Sequence, residues 1–335
     1  MSQPNREIVV DNLVKRFGDF VAVKGVSFKV QSGEIFGFLG PNGAGKSTTV
    51  TMLTTLGLPT EGKASVGGYD VVTQAEEVRR ISGVALQEIG IDPLMKSMEL
   101  LTLQCQIFGM TRKEAQARAR ELLELVKLSE FTDRRVGKYS GGMRRRLDLA
   151  LALAHQPEVL FLDEPTTGLD PASRRDIWEE VRRLNQRFGM TIFLTTQYLE
   201  EADLLANRIA IINSGEIVAE GTPMQLKSQF GTESINLSFN DAAHVEKAEV
   251  AFQDMVERMV TDNTTLRLYL PNAAQTVPAV VNRVQSLGIE LQSLTLTQPT
   301  LDDVFLKVTG QRLQVKEGQN VPQAKGRRGR MAKAS

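Results

Sequence analysis

The stretch EIFGFLGPNGAGKST, from Glu34 to Thr48, decides the fold of this chain of 335 residues. Its first half is a short apolar run typical of a buried strand. Its second half, GPNGAGKST (Gly40–Thr48), fits the pattern G-x-x-x-x-G-K-S/T and opens a predicted helix. A glycine-rich turn could match by chance, but the strand, the glycines and the Lys-Ser pair together argue against that. We therefore predict a nucleoside triphosphate site.

The chemistry of phosphate binding explains the composition of this loop. Glycines let successive backbone N–H groups turn towards phosphates, and the N-terminus of the following helix adds partial positive charge. Lys46 is expected to reach the β- and γ-phosphates, and the hydroxyl of Ser47 to ligate Mg²⁺. The residues expected to surround the phosphates are Gly40, Pro41, Asn42, Gly43, Ala44, Gly45, Lys46, Ser47 and Thr48.

A second motif, VLFLDEP (159–165), places two carboxylates at the end of an apolar run. In a parallel sheet the carboxyl ends of the strands form the edge where ligands bind, which would bring this motif beside the glycine-rich loop. Asp163 is expected to hold the Mg²⁺ shell and Glu164 to polarise an attacking water. Adjacent carboxylates are often only solvated charges, but the apolar strand before them favours the catalytic interpretation.

Short β-rich runs alternate with helical stretches up to about residue 225, which predicts an α/β domain with a largely parallel sheet. Three apolar runs are expected to be buried central strands, namely EIFGFL (34–39), EVLFLD (158–163) and TIFLTT (191–196). A helix-rich insert contains MELLTLQCQIFGM and TRKEAQARARELLELVKL and predicts a helical subdomain over about residues 90–150.

The segment over about residues 230–310 predicts a separate small domain. INLSF, VERMV, TLRLYL and IELQSLTL are typical of strands, and the stretches between and after them, which end with LDDVFLKVTG, are typical of helices. The order βαββαβα indicates a ferredoxin-like α+β domain. Residues 311–335 have little apolar content and no periodicity, which predicts a disordered tail.

Composition restricts the classes of function. Lys plus Arg and Asp plus Glu number 40 each, so the charge does not indicate a nucleic-acid partner, and none is expected. Cys105 is the only cysteine, which excludes an internal disulfide and favours a reducing cytoplasm. The sequence has no signal-peptide stretch at its start and no apolar run near the ~20 residues that span a bilayer. We therefore expect a cytoplasmic protein that reaches a membrane through a partner chain.

The stretch YSGGMRRRLDLALALA resembles the signature motif of ABC ATPases, usually L-S-G-G-Q. Ser140, Gly141 and Gly142 match this motif, whereas Tyr139 replaces the leucine and Met143 the glutamine. Taken alone, the stretch is also a serine-capped helix with a core face. Its place shortly before VLFLDEP favours the family, and the resemblance implies that the chain binds ATP and Mg²⁺ and hydrolyses ATP.

The same resemblance, over about residues 6–225, implies roles for three further residues. Phe17 matches the aromatic that stacks on adenine, with an ordinary core phenylalanine as the alternative. Gln87 matches the glutamine that senses Mg²⁺ and couples to the helical subdomain, with a simple turn residue as the alternative. Asp170, in GLD, matches the D-loop aspartate that is expected to cross a dimer interface.

The family fold implied is a P-loop NTPase ABC cassette, with a mixed sheet core and a helical subdomain, followed here by the small α+β domain. One chain's phosphate loop and signature helix lie far apart in this fold, so a second ATP-binding subunit completes each site. In a dimer, most simply a homodimer, the signature serine and glycines of one copy would face the γ-phosphate held by the other.

TTQYLEEAD (195–203) carries Gln197 where most ABC ATPases carry a histidine. This stretch and the closing LTLTQPTLDDVFLKVTG resemble the daunorubicin-resistance-type drug-export ATPases, which have glutamine there. An amide can donate and accept hydrogen bonds but has no proton to exchange near neutral pH. We expect a slow but competent ATPase in which Gln197 aligns Glu164 and the water, with Glu200 and Glu201 in the first turn of the next helix.

The drug-export resemblance implies a cassette that powers export of a drug-like or hydrophobic compound through a separate multi-span membrane subunit, at the cytoplasmic face of the cell membrane. The sequence has no heptad array or cysteine pair, as chromosome-structure ATPases would, and no second phosphate loop, as translation-type proteins would. An ABC-type switch acting on a non-membrane partner is the alternative. The tail from residue 311 has seven Lys/Arg and one Glu, so it is either a solubilising end or a contact to anionic lipid.

Overall fold

The computed structural model describes residues 5–311, apart from residues 88, 89, 231, 232, 257, 271 and 272. The predicted disordered tail therefore lies, beyond its first residue, outside the described part. The strands are β1 (Ile8–Phe17), β2 (Phe20–Val30), β3 (Ile35–Leu39), β4 (Glu61–Val66), β5 (Tyr69–Asp70), β6 (Ser82–Ala85), β7 (Val159–Asp163), β8 (Thr191–Thr196), β9 (Arg208–Asn213), β10 (Glu216–Gly221), β11 (Ser234–Phe239), β12 (Arg258–Asp262), β13 (Thr265–Tyr269) and β14 (Leu291–Thr297). The helices are α1 (Lys46–Leu53), α2 (Ala75–Ile81), α3 (Ser97–Ile107), α4 (Arg112–Leu125), α5 (Gly141–Ala152), α6 (Pro171–Phe188), α7 (Leu199–Leu205), α8 (Pro223–Phe230), α9 (Ala242–Phe252), α10 (Ala273–Ser286) and α11 (Leu301–Thr309).

A six-stranded sheet in the order β10-β9-β3-β8-β7-β6 forms the centre of the molecule. All neighbours pair in parallel except β10, which runs antiparallel at one edge. The three apolar runs predicted to be central strands are β3, β7 and β8, and every residue in them is buried. The prediction of a largely parallel sheet is confirmed, because a strand covered on both faces must be apolar along its whole length.

A second, antiparallel sheet in the order β2-β1-β4-β5 packs against the central sheet. The simple alternation of strands and helices did not predict this sheet. Its β2 strand alternates buried and exposed residues, as expected of a sheet with one covered face. Phe28 on that face stacks on Phe36 of β3, with 5.4 Å between the ring centroids, so the mixed core consists of two sheets packed together.

The predicted helical insert contains α3 and α4, which are followed by α5. A capping box starts α4, in which Thr111 accepts a hydrogen bond from the backbone N–H of Glu114 and the Glu114 carboxylate accepts one from the N–H of Thr111. The apolar faces of these helices share one core with the inner face of the central sheet. The helical subdomain therefore lies directly on the sheet that carries the phosphate loop.

The small domain has a four-stranded antiparallel sheet in the order β12-β13-β11-β14. Counted within the domain, this is the order 2-3-1-4, with α9 following its first strand and α10 its third. The buried side chains of both helices and of the sheet form a core of their own. The βαββαβ order and this strand order agree with the ferredoxin-like prediction.

The last helix, α11, begins and ends where the sequence predicts. Thr300 caps its N-terminus by accepting a hydrogen bond from the N–H of Asp303, whose carboxylate accepts one in return from the N–H of Thr300. Gly310 ends the helix with φ of 73°, a left-handed conformation that glycine adopts without steric cost.

The buried face of α11 packs against the nucleotide-binding domain and not against the small sheet. The buried side chains of α11 are Leu301, Val304 and Phe305. Their cluster contains Leu39, Ala202, Ala206, Ile209, Ile211, Ala219 and Leu226, all from strands and helices before residue 230. The chain thus leaves the first domain, builds the small sheet and returns, although the exact domain boundaries stay a prediction.

Candidate nucleotide-binding site

Two glycines of the glycine-rich loop pack so closely against neighbouring backbone that a side chain would not fit there. The N–H of Gly40 donates to the carbonyl of Thr196 at 3.2 Å. A Cβ atom on Gly40 would lie 2.3 Å from the carbonyl oxygen of Ile212. Gly45 has φ of 105°, and its Cβ would lie 2.7 Å from the carbonyl oxygen of Ala22. Glycine at both positions is therefore required by the packing of the loop.

Lys46 is the first residue of α1, and its side chain is almost completely buried. Its Nζ donates to the carbonyls of Gly40 at 2.8 Å and Pro41 at 3.0 Å. The same Nζ lies 3.0 Å from Oε1 of Glu164, which is also buried. The two residues predicted to act on the γ-phosphate and on the water are thus brought into direct contact, although 118 positions separate them in the sequence.

The two carboxylates of VLFLDEP are held by the neighbouring strand β8. The hydroxyl of Thr195 donates to Oδ1 of Asp163, and the N–H of Glu164 donates to the carbonyl of Thr195 at 3.1 Å. Glu164 has φ of 48°, a rare conformation for a residue with a side chain, which often marks a functional site. The hydroxyl of Thr167 donates to Oε2 of Glu164 at 3.1 Å, so both oxygens of this carboxylate are fixed.

The donor set at this edge fits a Mg²⁺ ion bound mainly through nucleotide phosphates. Ser47 lies in the first turn of α1 and is exposed, and Asp163 ends β7 with its carboxylate buried. In the described part of the chain, no group of three or more acidic, His or Cys side chains could cage a metal by itself. One hydroxyl and one carboxylate, completed by phosphate oxygens and water, are donors that Mg²⁺ accepts.

Gln197 follows the last residue of β8, and Asp163 of β7 pairs in register with Thr195. The side chain of Gln197 is buried, and it forms no hydrogen bond with the residues that the structure describes. Its amide atoms are not among the fully buried polar atoms that lack a partner, so the amide can bind a phosphate oxygen or a water without breaking a contact within the described part of the chain. The predicted role of Gln197 beside Glu164 stays a prediction.

Glu201, predicted only as an acidic residue of the first turn of α7, lies in the core instead of on the surface. Its Oε1 accepts hydrogen bonds from Nε1 of Trp178 at 2.8 Å and from the hydroxyl of Thr166 at 2.9 Å. Burial raises the pKa of this carboxyl, and hydrogen bonds from Thr196, Trp178 and Thr166 oppose the shift. Glu201 thereby ties α6 and α7 to the loop that follows Glu164.

Gln87 follows β6 and is exposed at the rim of a cleft of about 360 Å³. The same cleft is lined by Glu164, by Gly141 of the signature motif and by Gly168 of the GLD motif. Four motifs that lie far apart in the sequence therefore meet around one cavity. The phosphate loop approaches this cavity through the contact between Lys46 and Glu164.

The signature residues lie at the N-terminus of α5. Ser140 caps this helix by accepting a hydrogen bond from the N–H of Met143 at 3.2 Å, and both Ser140 and Gly141 are exposed. A Cβ atom on Gly142 would lie 2.7 Å from Oγ of Ser173. The hydroxyl of Tyr139 donates to the carbonyl of Phe131 at 2.8 Å and lies 3.0 Å from the hydroxyl of Ser97, which can donate to it in turn; leucine could make neither contact.

Asp170 caps α6 within its own chain. Its carboxylate accepts hydrogen bonds from the backbone N–H groups of Ala172 and Ser173 and from the Ser173 hydroxyl. The hydrogen bonds from Ser173 hold the pKa of Asp170 below its usual value. A role for Asp170 across a dimer interface stays a prediction.

Phe17 lies at the end of β1 with 57% of its surface exposed. It pairs across the hairpin with Phe20, which is 64% exposed, and Nζ of Lys15 lies 5.1 Å from its ring centroid. The alternative of an ordinary core phenylalanine is therefore wrong. An open aromatic face beside a cation is suited to stacking with a base, and Phe20 offers a second such face that the sequence analysis did not single out.

Two regions of the chain match known protein families. Residues 23–167 match the family described as "ABC transporter", and residues 221–309 match "ATP-binding protein DrrA1-3-like, C-terminal domain". The daunorubicin resistance ATP-binding protein DrrA3 of Streptomyces coeruleorubidus is 43% identical over 310 residues, which cover 92% of this chain and 98% of that protein. The chain belongs to the ATP-binding proteins of ABC transporters. Within this ATPase family it has the DrrA-type C-terminal domain.

Other relatives of this ABC ATPase carry different names. The linearmycin resistance ATP-binding protein LnrL of Bacillus subtilis is 38% identical, over 90% of this chain and 98% of that protein. The Nod factor export ATP-binding protein I of Burkholderia lata is 40% identical, over 90% and 97%. Among solved structures, this chain aligns with the ATP-binding cassette MJ0796 with a TM-score of 0.59 and 28% identity, over 64% of this chain and 98% of that one. That structure is a dimer in a post-hydrolysis state bound to ADP and Pi. The ABC cassette fold predicted from the motifs is confirmed.

Proposed function

We propose that this ABC ATPase holds MgATP in the loop Gly40–Thr48 and hydrolyses it to power export of a drug-like or hydrophobic compound through a separate membrane subunit. The observation that carries the hydrolytic part is the buried contact between Lys46, the first residue of α1, and Glu164, which follows β7. It places the predicted γ-phosphate ligand and the predicted base within 3.0 Å of each other. The bound Mg²⁺ would neutralise phosphate charge, held on the protein side by Ser47 and Asp163.

Each remaining side chain has a role that suits its surroundings. Glu164 accepts a proton from the attacking water, since its carboxylate is oriented by Thr167 and Lys46. Gln197 orients the water or the γ-phosphate through an amide that has no partner in the described part of the chain. Phe17 stacks on the adenine, and Gln87 reaches the metal from the rim of the cleft.

The second half of each site comes from a second copy of the chain. Ser140 and Gly141 are exposed at the N-terminus of α5, where backbone N–H groups and the helix dipole favour an anion. If these groups face a γ-phosphate that another subunit holds, the nucleotide joins the two subunits. The dimer of the related cassette MJ0796 supports this arrangement.

The membrane subunit is expected to dock where the helical subdomain meets the sheet. A cavity of about 870 Å³ opens there, and Ile107 and Phe108 at its rim are 69% and 41% exposed. No helix among the described residues is both long and apolar enough to cross a bilayer. We place the protein at the cytoplasmic face of the cell membrane, and the names of its resistance and export relatives favour this over a switch on a non-membrane partner.

Hydrolysis is tested with purified protein carrying Gln197→Ala. Loss of the amide should lower kcat by about tenfold or more, because one oriented donor at the reacting centre is missing. The Kd for ATP should stay within about twofold of the unsubstituted value. Gln229→Ala, which removes an exposed glutamine of α8, is the matched control and should leave kcat unchanged. An unchanged kcat for Gln197→Ala would mean that Gln197 takes no part in hydrolysis.

Transport is tested by reading the neighbouring gene and, if it encodes a multi-span membrane protein, expressing that protein together with this chain. Cells should then extrude a hydrophobic dye, and Glu164→Gln should abolish the extrusion while leaving the expression of both proteins unchanged. Equal extrusion by the two forms would contradict the proposed coupling. Failure of the two proteins to associate in membranes would favour the non-membrane partner instead.

A further inference from the structure

Arg145 lies one turn into α5, five residues after the signature serine, and its side chain is buried. The guanidinium makes three hydrogen bonds to backbone carbonyls. Nε donates to the carbonyl of Pro165 at 2.8 Å, Nη2 to that of Asp163 at 2.9 Å, and Nη1 to that of Leu86 at 2.6 Å. The signature motif that precedes Arg145 does not include it.

The three carbonyls belong to the segments that carry the reacting groups. Asp163 and Pro165 flank Glu164 on both sides, and Leu86 immediately precedes Gln87. One guanidinium on the signature helix therefore holds the backbone on either side of the predicted base. It also holds the backbone next to the predicted metal-sensing glutamine.

The geometry requires arginine in particular. A guanidinium is planar and presents five N–H donors in a fixed fork, whereas the ammonium of lysine is a compact charge on a flexible stem. The fourth contact is with Asp148, whose Oδ2 lies 2.9 Å from Nη1 one turn further along α5. Burial lowers the pKa of Arg145, and Asp148, Asp163 and Glu201 oppose this shift by favouring the charged guanidinium.

We propose that Arg145 is a positioning residue that links movement of the signature helix to the placement of Glu164 and Gln87. This inference rests on the function proposed above. When the N-terminus of α5 meets the nucleotide of a second copy, α5 and the loop 163–165 move as one body because the guanidinium joins them. Arg145 itself touches neither substrate nor metal, and it acts on the reaction only through these two segments.

The test is Arg145→Lys in the full chain, with Arg118→Lys as the matched control. Arg118 also binds two backbone carbonyls, those of Leu153 and Ala154, and a nearby carboxylate, but it lies away from the cleft. Arg145→Lys should lower kcat at least about tenfold and leave the KM for ATP within about twofold, since small displacements of reacting groups reduce rate more than binding. Arg118→Lys should leave kcat unchanged.

A second readout separates positioning from a general loss of structure. In a Glu164→Gln background, where hydrolysis is blocked, Arg145→Lys should still give an ATP-dependent dimer at the same ATP concentration as the parent. If Arg145→Lys does not fold, Arg145→Gln/Asp148→Asn removes the guanidinium together with its paired carboxylate and should show the same fall in kcat at constant KM.

Two results overturn the inference. One is a kcat equal to that of the unsubstituted protein in either variant, whatever the KM, and the other is loss of the ATP-dependent dimer when Arg145→Lys is added to Glu164→Gln. Absence of hydrolysis in the unsubstituted protein would instead overturn the proposed function, on which this inference depends. The two failures are therefore distinguished in the same set of measurements.

Discussion

Glu164→Gln should destabilise the nucleotide-free protein and tighten its binding of ATP. The substitution removes the carboxylate that faces Lys46 at 3.0 Å, where both side chains are buried. Breaking a buried ion pair by removing one partner costs about 3–5 kcal/mol. Here Lys46 keeps the carbonyls of Gly40 and Pro41, and the glutamine keeps an acceptor oxygen, so we expect a loss nearer to about 2–3 kcal/mol.

ATP should restore much of this loss, because its phosphates supply the negative charge that Lys46 lacks in the variant. In the unsubstituted protein the phosphates compete with Glu164 for Lys46, and in the variant they do not. If about 1.4 kcal/mol is recovered on binding, the Kd for ATP falls tenfold. The free energy of unfolding is measured by urea denaturation and the Kd by calorimetry, both with EDTA so that no hydrolysis occurs.

Glu216→Gln is the control, since its pair with Lys24 is exposed and lies at 3.4 Å. Exposed pairs contribute about 0–1 kcal/mol, so this variant should resemble the unsubstituted protein in both measurements. Equal unfolding free energy and equal Kd for Glu164→Gln would refute the reasoning, because they would mean that Lys46 and Glu164 do not compete for partners in solution.

Two further predictions concern stability. Phe305→Ala should lower the free energy of unfolding by about 3–5 kcal/mol, because Phe305 is fully buried between α11 and the first domain, whereas Leu306→Ala, at a 37% exposed neighbour, should cost less than about 1 kcal/mol. Equal effects of the two in urea denaturation would mean that α11 does not pack as described. Burial raises the pKa of Asp148 from 3.8 to about 6, against the opposing effect of Arg145. The folded protein then binds more protons than the unfolded chain between about pH 4 and 6, so the carboxyl removes up to about 3 kcal/mol of stability as the pH rises through that window. The advantage of Asp148→Asn over the unsubstituted protein should therefore grow from pH 4 to 7, and a flat difference over that range would contradict the shifted pKa.

Much of the fold could be predicted because its signals are local. The glycines of the phosphate loop, the three buried apolar strands and the extent of α11 each depend on a few consecutive residues. The antiparallel sheet of β1 and β2 was missed because its strands carry polar residues on one face and resemble no single motif. The burial of Glu201 was missed because the partners that hold it, Trp178 and Thr166, lie more than 20 residues away.

The candidate site shows the same division. Its motif residues were identified one by one, but the contact between Lys46 and Glu164 depends on the pairing of β3, β8 and β7. The three carbonyls held by Arg145 belong to two other segments, and nothing near Arg145 in the sequence indicates them. The contacts of Thr195 with Asp163 and Glu164 likewise follow from the position of β7 beside β8.

The amino-acid sequence by itself determined that this chain binds a nucleoside triphosphate and belongs with the ABC cassettes, since glycine spacing, strand polarity and the order of motifs are properties of the linear chain. Only the tertiary structure decided which of those residues touch, that α11 completes the core of the first domain, and that one buried arginine joins α5 to the loop 163–165. The reason is physical. Backbone conformation is set by neighbouring residues, whereas ion pairs and buried hydrogen bonds form between segments that only the packed sheet brings together.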